Sequence, residues 1–442
     1  MKLHSETYDS YKNSEGEWSE TIPSEWQEKR VKDLFKLVTD AAPADNNYEL
    51  LSLFTGIGVK PRKDMEARGN KASSTDGYWI VKKNDIVVNK LLAWMGSVGL
   101  SEYDGVTSPA YDVLRQVKPY VDPRYFSYLF RTEIAKKIFR KNSRGIMDMR
   151  LRLYFDKLGA ITVPLPSLQE QSYIADYIDL KTSQIDKKIV LLKTKIKLYK
   201  KLKLSLINEN ILQGLNKPKL SAENIECESP GAWKIGRIKD IAHLNTGNSL
   251  SPDLKEKFST KKANTTPYVA TKDIEQSTGI ANTKNGIYIP NSETKYRRAP
   301  KHSSLLCVEG ASAGKKMSFI DEEVCYVNKL LCFFNNQNIN PLYLHYYIST
   351  TRFKTSFNSS LTGLRDGYWG VTGPEISRFE ITLPPLDEQR EIAQSLKVNI
   401  QKINNLVAKI NDEIDMYLNL RNAFITDATT GKVKAIMEPK VA

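Results

Sequence analysis

The chain has 442 residues, 40% of them apolar, and carries 65 Lys and Arg against 51 Asp and Glu, a net charge of +14. That length supports roughly two to four domains with real cores, and the positive excess favours a polyanionic partner, most simply nucleic acid. Cys227, Cys307, Cys325 and Cys332 all lie in the second half with no Cys-x-x-Cys pair, and the four histidines are scattered, which argues against a disulfide framework or a zinc site. No apolar run reaches the about 18 residues of a membrane span, and the start of the chain is polar, so a cytoplasmic, reduced protein is expected.

In chain order, an arm of residues 1–22 precedes a turn at Pro23-Ser24-Glu25-Trp26, and the spacing then predicts a short basic helix over Lys29–Val38. Strand-like runs follow at Tyr78–Val81 and Ile86–Asn89, broken by Gly and Asn turns. Asp122-Pro123 is an Asx cap followed by proline at the first helical position, and it opens a helix predicted over Tyr125–Arg140. A short strand, Ile161–Pro164, leads into Pro166-Ser167-Leu168-Gln169-Glu170-Gln171 and a long helix.

The second half returns the same series. Pro230-Gly231-Ala232-Trp233 repeats the opening turn, Ile235–Ala242 the basic helix, and Leu305–Val308 and Val324–Phe334 the strands. Asn340-Pro341 repeats the cap before a helix over Tyr343–Asn358, and Glu380–Leu383 repeats the last strand. Pro384-Pro385-Leu386-Asp387-Glu388-Gln389 lies 218 residues after its counterpart, whereas the opening turns differ by 207, so the second copy holds about eleven extra residues in between. A duplication of this size gives two equivalent domains rather than a solenoid. It implies two equivalent sites, or one ligand with pseudo-two-fold symmetry.

Each half closes in a helix with a heptad pattern. Ile178, Ile185, Leu192, Tyr199 and Leu206 share one heptad position, with Ile189 and Ile196 on the other. Leu396, Ile403, Ile410, Tyr417 and Phe424 repeat the first stripe, with Ile400, Val407 and Ile414 on the other. Gly214 and Gly431 are stop signals. A helix of about 45 residues spans about 65–70 Å, and neither can bury its stripe alone, so the two are expected to pair antiparallel and hold the domains apart.

Catalytic motifs fail one by one. Leu53-Phe54-Thr55-Gly56-Ile57-Gly58 resembles the cofactor loop of DNA cytosine methyltransferases, but Ser52 stands where that motif has Asp and no cysteine follows a proline to serve as nucleophile. The Asn/Asp-Pro-Pro-Tyr/Phe motif of amino-methyltransferases is missing. Gly310-Ala311-Ser312-Ala313-Gly314-Lys315-Lys316 is one residue short of a phosphate loop and has Lys316 in place of the magnesium-binding Ser or Thr. Pro252-Asp253 with Glu293-Thr294-Lys295 is a pairing that chance supplies in a chain with 26% charged residues.

Loops combining cations, glycine and aromatics remain as candidate DNA contacts. In the first half these are Lys60, Arg62, Lys63 and Arg68, then Lys90 and Trp94, then Arg144, Arg150 and Arg152. In the second half they are Lys295, Tyr296, Arg297 and Arg298, then Lys315 and Lys316, then Arg365, Tyr368 and Trp369. Lys and Arg neutralise phosphates, and Arg pairs bidentately with guanine. Taken singly each is an ordinary surface charge; the clustering carries the reading. Nine lysines between Lys181 and Lys203 also make the first long helix the more basic one.

The paired Pro-x-Leu-x-Glu-Gln motifs, the Ile-Ala pairs after them (Ile174-Ala175, Ile392-Ala393) and the paired Pro-x-x-Trp turns resemble the specificity subunit of type I restriction–modification systems, over nearly the whole chain. The resemblance implies a mixed α/β chain with two duplicated target-recognition domains, separated by two long antiparallel coiled-coil helices with pseudo-two-fold symmetry. Recognition domains are then expected at 23–165 and 230–383, spacer helices at 166–215 and 384–431, a linker at 216–229 and a tail at 432–442. Each domain would read one half of a bipartite double-stranded DNA site. The helices would set the spacing and dock two modification subunits, with motor and restriction subunits attached through them. Catalysis at adenine, and with it S-adenosylmethionine, ATP and magnesium, would belong to those partners and none to this chain. The competing readings are a self-contained methyltransferase using Leu53–Gly58 and a coiled-coil scaffold that ignores DNA.

Overall fold

The structure is a computed structural model that describes residues 3–54, 57–64, 75–147, 150–215, 233–335, 338–363 and 369–437. Two units emerge: Met1–Leu192 with Asp412–Ala442, and Lys193–Asn411. Each takes part of both long helices, Leu168–Gln213 and Leu386–Thr429.

Both units open with strand, single helical turn and strand, where the sequence predicted one basic helix. Gln27–Arg30 is a strand, Val31–Leu34 one turn, and Phe35–Leu37 a strand. Lys234–Arg237, Ile238–Ile241 and Ala242–Thr246 repeat the series. The helical spacing holds for one turn, burying Val31 and Leu34. The flanks go to strand because partners take their backbone groups. Gln27–Arg30 pairs antiparallel with Thr162–Leu165, the strand just before the long helix, and Lys234–Arg237 pairs with Glu380–Leu383. The chain therefore enters and leaves each domain side by side.

The central sheet is the same in both units. In the first, four antiparallel strands run in the order Val98–Leu100, Ile86–Asn89, Tyr111–Gln116, Phe35–Leu37. In the second, Met317–Ile320, Ser303–Cys307, Leu330–Asn335 and Ala242–Thr246 repeat that order. The predicted run Val324–Phe334 is two strands, Val324–Tyr326 and Leu330–Asn335, split by a turn. Val324–Tyr326 enters a second four-stranded sheet with Thr265–Val269, Tyr288–Pro290 and Arg298–Ala299. In the first unit the matching space holds two-stranded pieces, Leu51–Phe54 with Gly58–Pro61 and Trp79–Val81 with Gly105–Thr107. The copies thus diverge in their middles, where the second carries its extra residues.

The helix after each Asx cap is two helices. Pro123–Leu129 is followed by Glu133–Asn142, and Pro341–Ser349 by Thr351–Ser359. The expected caps form: Asp122 accepts from the Arg124 amide and Asn340 from those of Leu342 and Tyr343. The break comes at buried Thr132 and Thr350, each of which caps a new helix while its hydroxyl donates to a carbonyl of the helix before.

The long helices run antiparallel within each unit. In the first, Tyr177 meets Phe424 edge-on and Asp186 pairs with Arg421 at 3.2 Å. In the second, Lys203 reaches Asn404, and Ile211 shares a core with Ile392 and Leu396. Ile178, Ile185, Ile189 and Leu192 are buried, as are Leu396, Ile400, Ile403, Ile410 and Ile414. Tyr199, Leu206, Tyr417 and Phe424 are only half-buried. Near its end the first helix buries Ile207 and Ile211, one step off the predicted stripe, because 3.6 residues per turn drifts against a strict seven-residue repeat. Tyr125, Phe126 and Tyr343, Tyr347 complete the two main cores beneath the helices. The segment before Pro23 is built into the first core through Trp18 and Ile22. Strands Leu3–Glu6 and Lys434–Met437 pair, joining the two ends of the chain.

Candidate nucleic-acid interface

What the repeated motif does is visible in its buried glutamine. Gln171 donates to the carbonyls of Tyr120 and Pro166 and accepts from the Asp122 amide at 2.8 Å. Gln389 donates to Pro384 and accepts from the Asn340 amide at 2.9 Å. One side chain thus ties the start of the long helix to the cap of the helix that follows the central sheet. A tyrosine from that helix then reaches the far end of the other long helix: Tyr125 donates to the Thr429 carbonyl and Tyr343 to that of Ile211. These are helix-terminal carbonyls, which lack partners of their own. The motif glutamates accept from Tyr8 and from the Trp233 indole. Gly431, at φ +77°, lies so close to Pro23 that a Cβ would sit 2.4 Å from its ring, so glycine is required there by conformation and by space.

On this frame the first unit gathers two of its three predicted loops. The Leu153 amide donates to the Lys90 carbonyl, and Arg144 and Arg152 exchange backbone hydrogen bonds. The guanidinium of Arg140 lies 5.1 Å from the centre of the Trp94 ring, an aromatic–cation stack that sequence reasoning missed. Arg150 is exposed, and Arg144 faces solvent with Asp156 as a 2.8 Å partner. Lys90 is a correction: its ammonium turns inward to the Pro109 carbonyl and to buried Asp112 at 3.4 Å, because a carboxylate held on the central sheet requires a cation. The third loop, around Lys60, Arg62 and Lys63, sits elsewhere. Lys60 pairs with Glu102 and stacks on Tyr103, and Lys63 pairs with Glu49. Arg68 lies outside the described residues.

The second unit brings Lys315 and Trp369 to the rim of one cavity of about 860 Å³. The Gly310 amide donates to the Trp369 carbonyl, which pins the two loops together. Trp369 is 63% exposed, an aromatic face available for stacking. Arg297 is exposed on a separate surface, its guanidinium on the Thr246 carbonyl. Three further corrections fall here. Tyr296 is core, packed edge-on against Phe258. Arg298 is a structural pin held by Thr266, Asn291 and Glu323. Lys316 is spent on the Thr271 carbonyl. Lys295 pairs with Glu293 at 3.5 Å. Arg365 and Tyr368 lie outside the described residues.

The rejected motifs now have their physical reason. Phe54 pairs with Gly58 across a two-stranded hairpin, so Gly58 opens a strand with no helix start behind it to cradle a cofactor. Thr55 and Gly56 lie outside the described residues. Gly310–Lys316 likewise joins two antiparallel strands instead of opening a helix. Cys307, Cys325 and Cys332 are buried, and burial pushes Cys325 up to about 11 and Cys332 up to about 12, so both stay as thiols at neutral pH. Cys227 lies outside the described residues. Among the described residues no group of three or more His, Cys, Asp or Glu side chains is placed to hold a metal, and no helix is long and apolar enough to cross a membrane.

Comparison with known proteins agrees with this arrangement. A family model described as the type I restriction modification DNA specificity domain matches twice, over residues 23–222 and 230–416. The MjaVIII type I restriction enzyme specificity subunit of Methanocaldococcus jannaschii is 22% identical over 426 residues, covering 93% of this chain and 94% of that protein. The putative MjaX specificity subunit of the same organism is 20% identical over 433 residues, covering 93% and 95%. A chain solved in work on complex assembly and conformational transition of a type I R-M system superposes with a TM-score of 0.69 at 15% identity, covering 93% of this chain and 99% of that one.

Proposed function

The chain belongs to the type I restriction modification DNA specificity family, with the domain present twice, and from that premise we propose that each unit reads one half of a bipartite DNA site. It is a DNA target-recognition subunit of a type I restriction–modification system. The observation that carries the two-reader proposal is the pairing of a constant frame with variable loops. The glutamine clamps, the tyrosine bonds and the central sheets repeat, whereas the loop sheets and the exposed side chains differ. A constant frame gives the same docking geometry twice, and different loops give different base contacts.

In the first unit Arg144, Arg150 and Arg152 are the proposed contacts, with Trp94 stacked beneath Arg140 and Lys63 on a separate loop. In the second they are Lys315, Trp369 and Arg297. Exposed ion pairs such as Arg144–Asp156 are weak, about 0–1 kcal/mol, so these guanidinium groups are free to swing onto phosphate or guanine. The long helices set the spacing between half-sites and dock the modification subunits, two per chain. Methyl transfer to adenine, with S-adenosylmethionine, and ATP- and magnesium-driven steps belong to partner subunits, and the system works in the cytoplasm.

Reconstitution tests this directly. The purified chain with S-adenosylmethionine and DNA is expected to transfer no methyl group, and transfer is expected once its cognate modification subunit is added. Turnover by the chain alone would overturn the non-catalytic reading. DNA affinity that does not fall with salt would favour a protein scaffold instead.

A further inference from the structure

The two units carry the same hollow with opposite chemistry. It lies where the helix after the Asx cap meets both long helices. In the first unit it is lined by Tyr128, Arg131, Asp179, Asp186 and Arg421. Both of its carboxylates are partnered: Asp186 pairs with Arg421 at 3.2 Å, and Asp179 accepts from the Tyr128 hydroxyl. Nearby, Lys136 pairs with Glu133 at 2.6 Å.

In the second unit the repeat puts Tyr346, Lys397, Asn404 and Lys203 at the positions of Tyr128, Asp179, Asp186 and Arg421, and Lys354 and Thr351 at those of Lys136 and Glu133. Two cations are thus kept while both of their carboxylates are gone, a third carboxylate has become a lysine, and the cations Arg131 and Lys187 have become Ser349 and Asn405. Lys200, Lys203, Lys354 and Lys397 all line one cavity of about 720 Å³. Among the described residues none of these four is in an ion pair, and the Lys203 ammonium has only the Asn404 amide oxygen at 3.3 Å. Burial and the nearby Lys354 push Lys203 down, and burial pushes Lys354 down. The cavity's imidazole, His345, bonds to Ser304 and is held neutral by burial, at about 3, so it supplies neither a positive charge nor a counter-ion. Asp321 and Glu322 lie on the wall without an ion pair to these lysines.

We propose that this cavity is a phosphate-binding site belonging to the second unit and not to its counterpart. Two partly desolvated ammonium groups, Lys203 and Lys354, with Lys200 and Lys397 on the same wall, are stabilised most by a compact anion carrying two charges. A phosphate group meets that requirement, and the ammonium, as a point charge, binds it without the planar geometry that a carboxylate–guanidinium pair needs. The phosphate comes either from a DNA backbone or from a small phosphorylated molecule. The site adjoins the recognition loops, since Lys315 and Lys354 line both this cavity and the one that Trp369 rims.

The test titrates pyrophosphate into the full-length chain by calorimetry, with two variants that restore the first unit's pairing, Asn404→Asp and Thr351→Glu. Wild type is expected to bind. Each variant is expected to weaken binding about tenfold, the value of one charge-assisted contact, while melting at or above the wild-type temperature. Repeating the titration with a saturating mixed-sequence duplex separates the sources. Displacement of pyrophosphate assigns the site to backbone phosphate, and simultaneous binding assigns it to a small phosphorylated molecule. Lys354→Met is a further check against a purely local effect, and it is also expected to weaken binding. No pyrophosphate binding by wild type, or equal affinity in wild type and all three variants, would overturn the proposal.

Discussion

A single buried glutamine shows how sequence and structure divide the explanation. Gln389 satisfies the Asn340 amide and the Pro384 carbonyl at once. Removing it leaves both without a partner away from water, at about 1–3 kcal/mol each. Gln389→Ala is therefore expected to raise amide hydrogen exchange across Pro341–Ser349 by an order of magnitude or more, with Pro123–Leu129 unchanged because Gln171 still holds it. Equal protection in the variant and the wild type would show that the clamp contributes nothing. The glutamine was legible in the sequence as half of a repeated motif, yet its distant partner was not, since Asn340 lies 49 residues away along the chain. The same limit explains Tyr296, Arg298 and Lys90. Each has the residue type of a DNA contact, and each is taken by the fold: Tyr296 by Phe258, Arg298 by Glu323 and Lys90 by Asp112. Residue type marks a candidate; only the neighbours decide whether its charge or ring is free.

At the scale of elements, the long helices were legible because their stripes are sustained and their stops are glycines. Short elements were not. The turn Val31–Leu34 has a helical pattern, but pairing with Thr162–Leu165 wins on its flank. The two-helix break at Thr350 was missed because a threonine in the polar run Ser349-Thr350-Thr351-Arg352 looks like a tolerated surface position. Here it is buried, accepts from the Phe353 amide and donates to the Tyr347 carbonyl. Thr350→Ala is expected to cost about 1–2 kcal/mol, while Thr350→Ser, which keeps the hydroxyl, should stay within about 0.5 kcal/mol of wild type. Thermal melts of both variants check this, and an equal loss in the two would mean that the methyl group matters rather than the cap.

Across the whole molecule, the duplication was the signal that made function legible. Residues common to both copies build the frame, and residues that differ are where the copies do different things. That logic assigns the loops to two half-sites, and it also exposes the second unit's unpaired lysines, since Asn404 stands out only against Asp186. Charge counts alone would not have found either. The central claim is that the two units read independently, and mapping methylated adenines genome-wide, with the chain beside its modification subunit, tests it most directly. Wild type is expected to give one motif with two specified halves around an unread spacer. Arg150→Ala with Arg152→Ala should relax one half only, and Lys315→Ala with Trp369→Ala the other half only, with the spacer unchanged in both. A single uninterrupted motif, or either variant degrading both halves equally, would contradict the account.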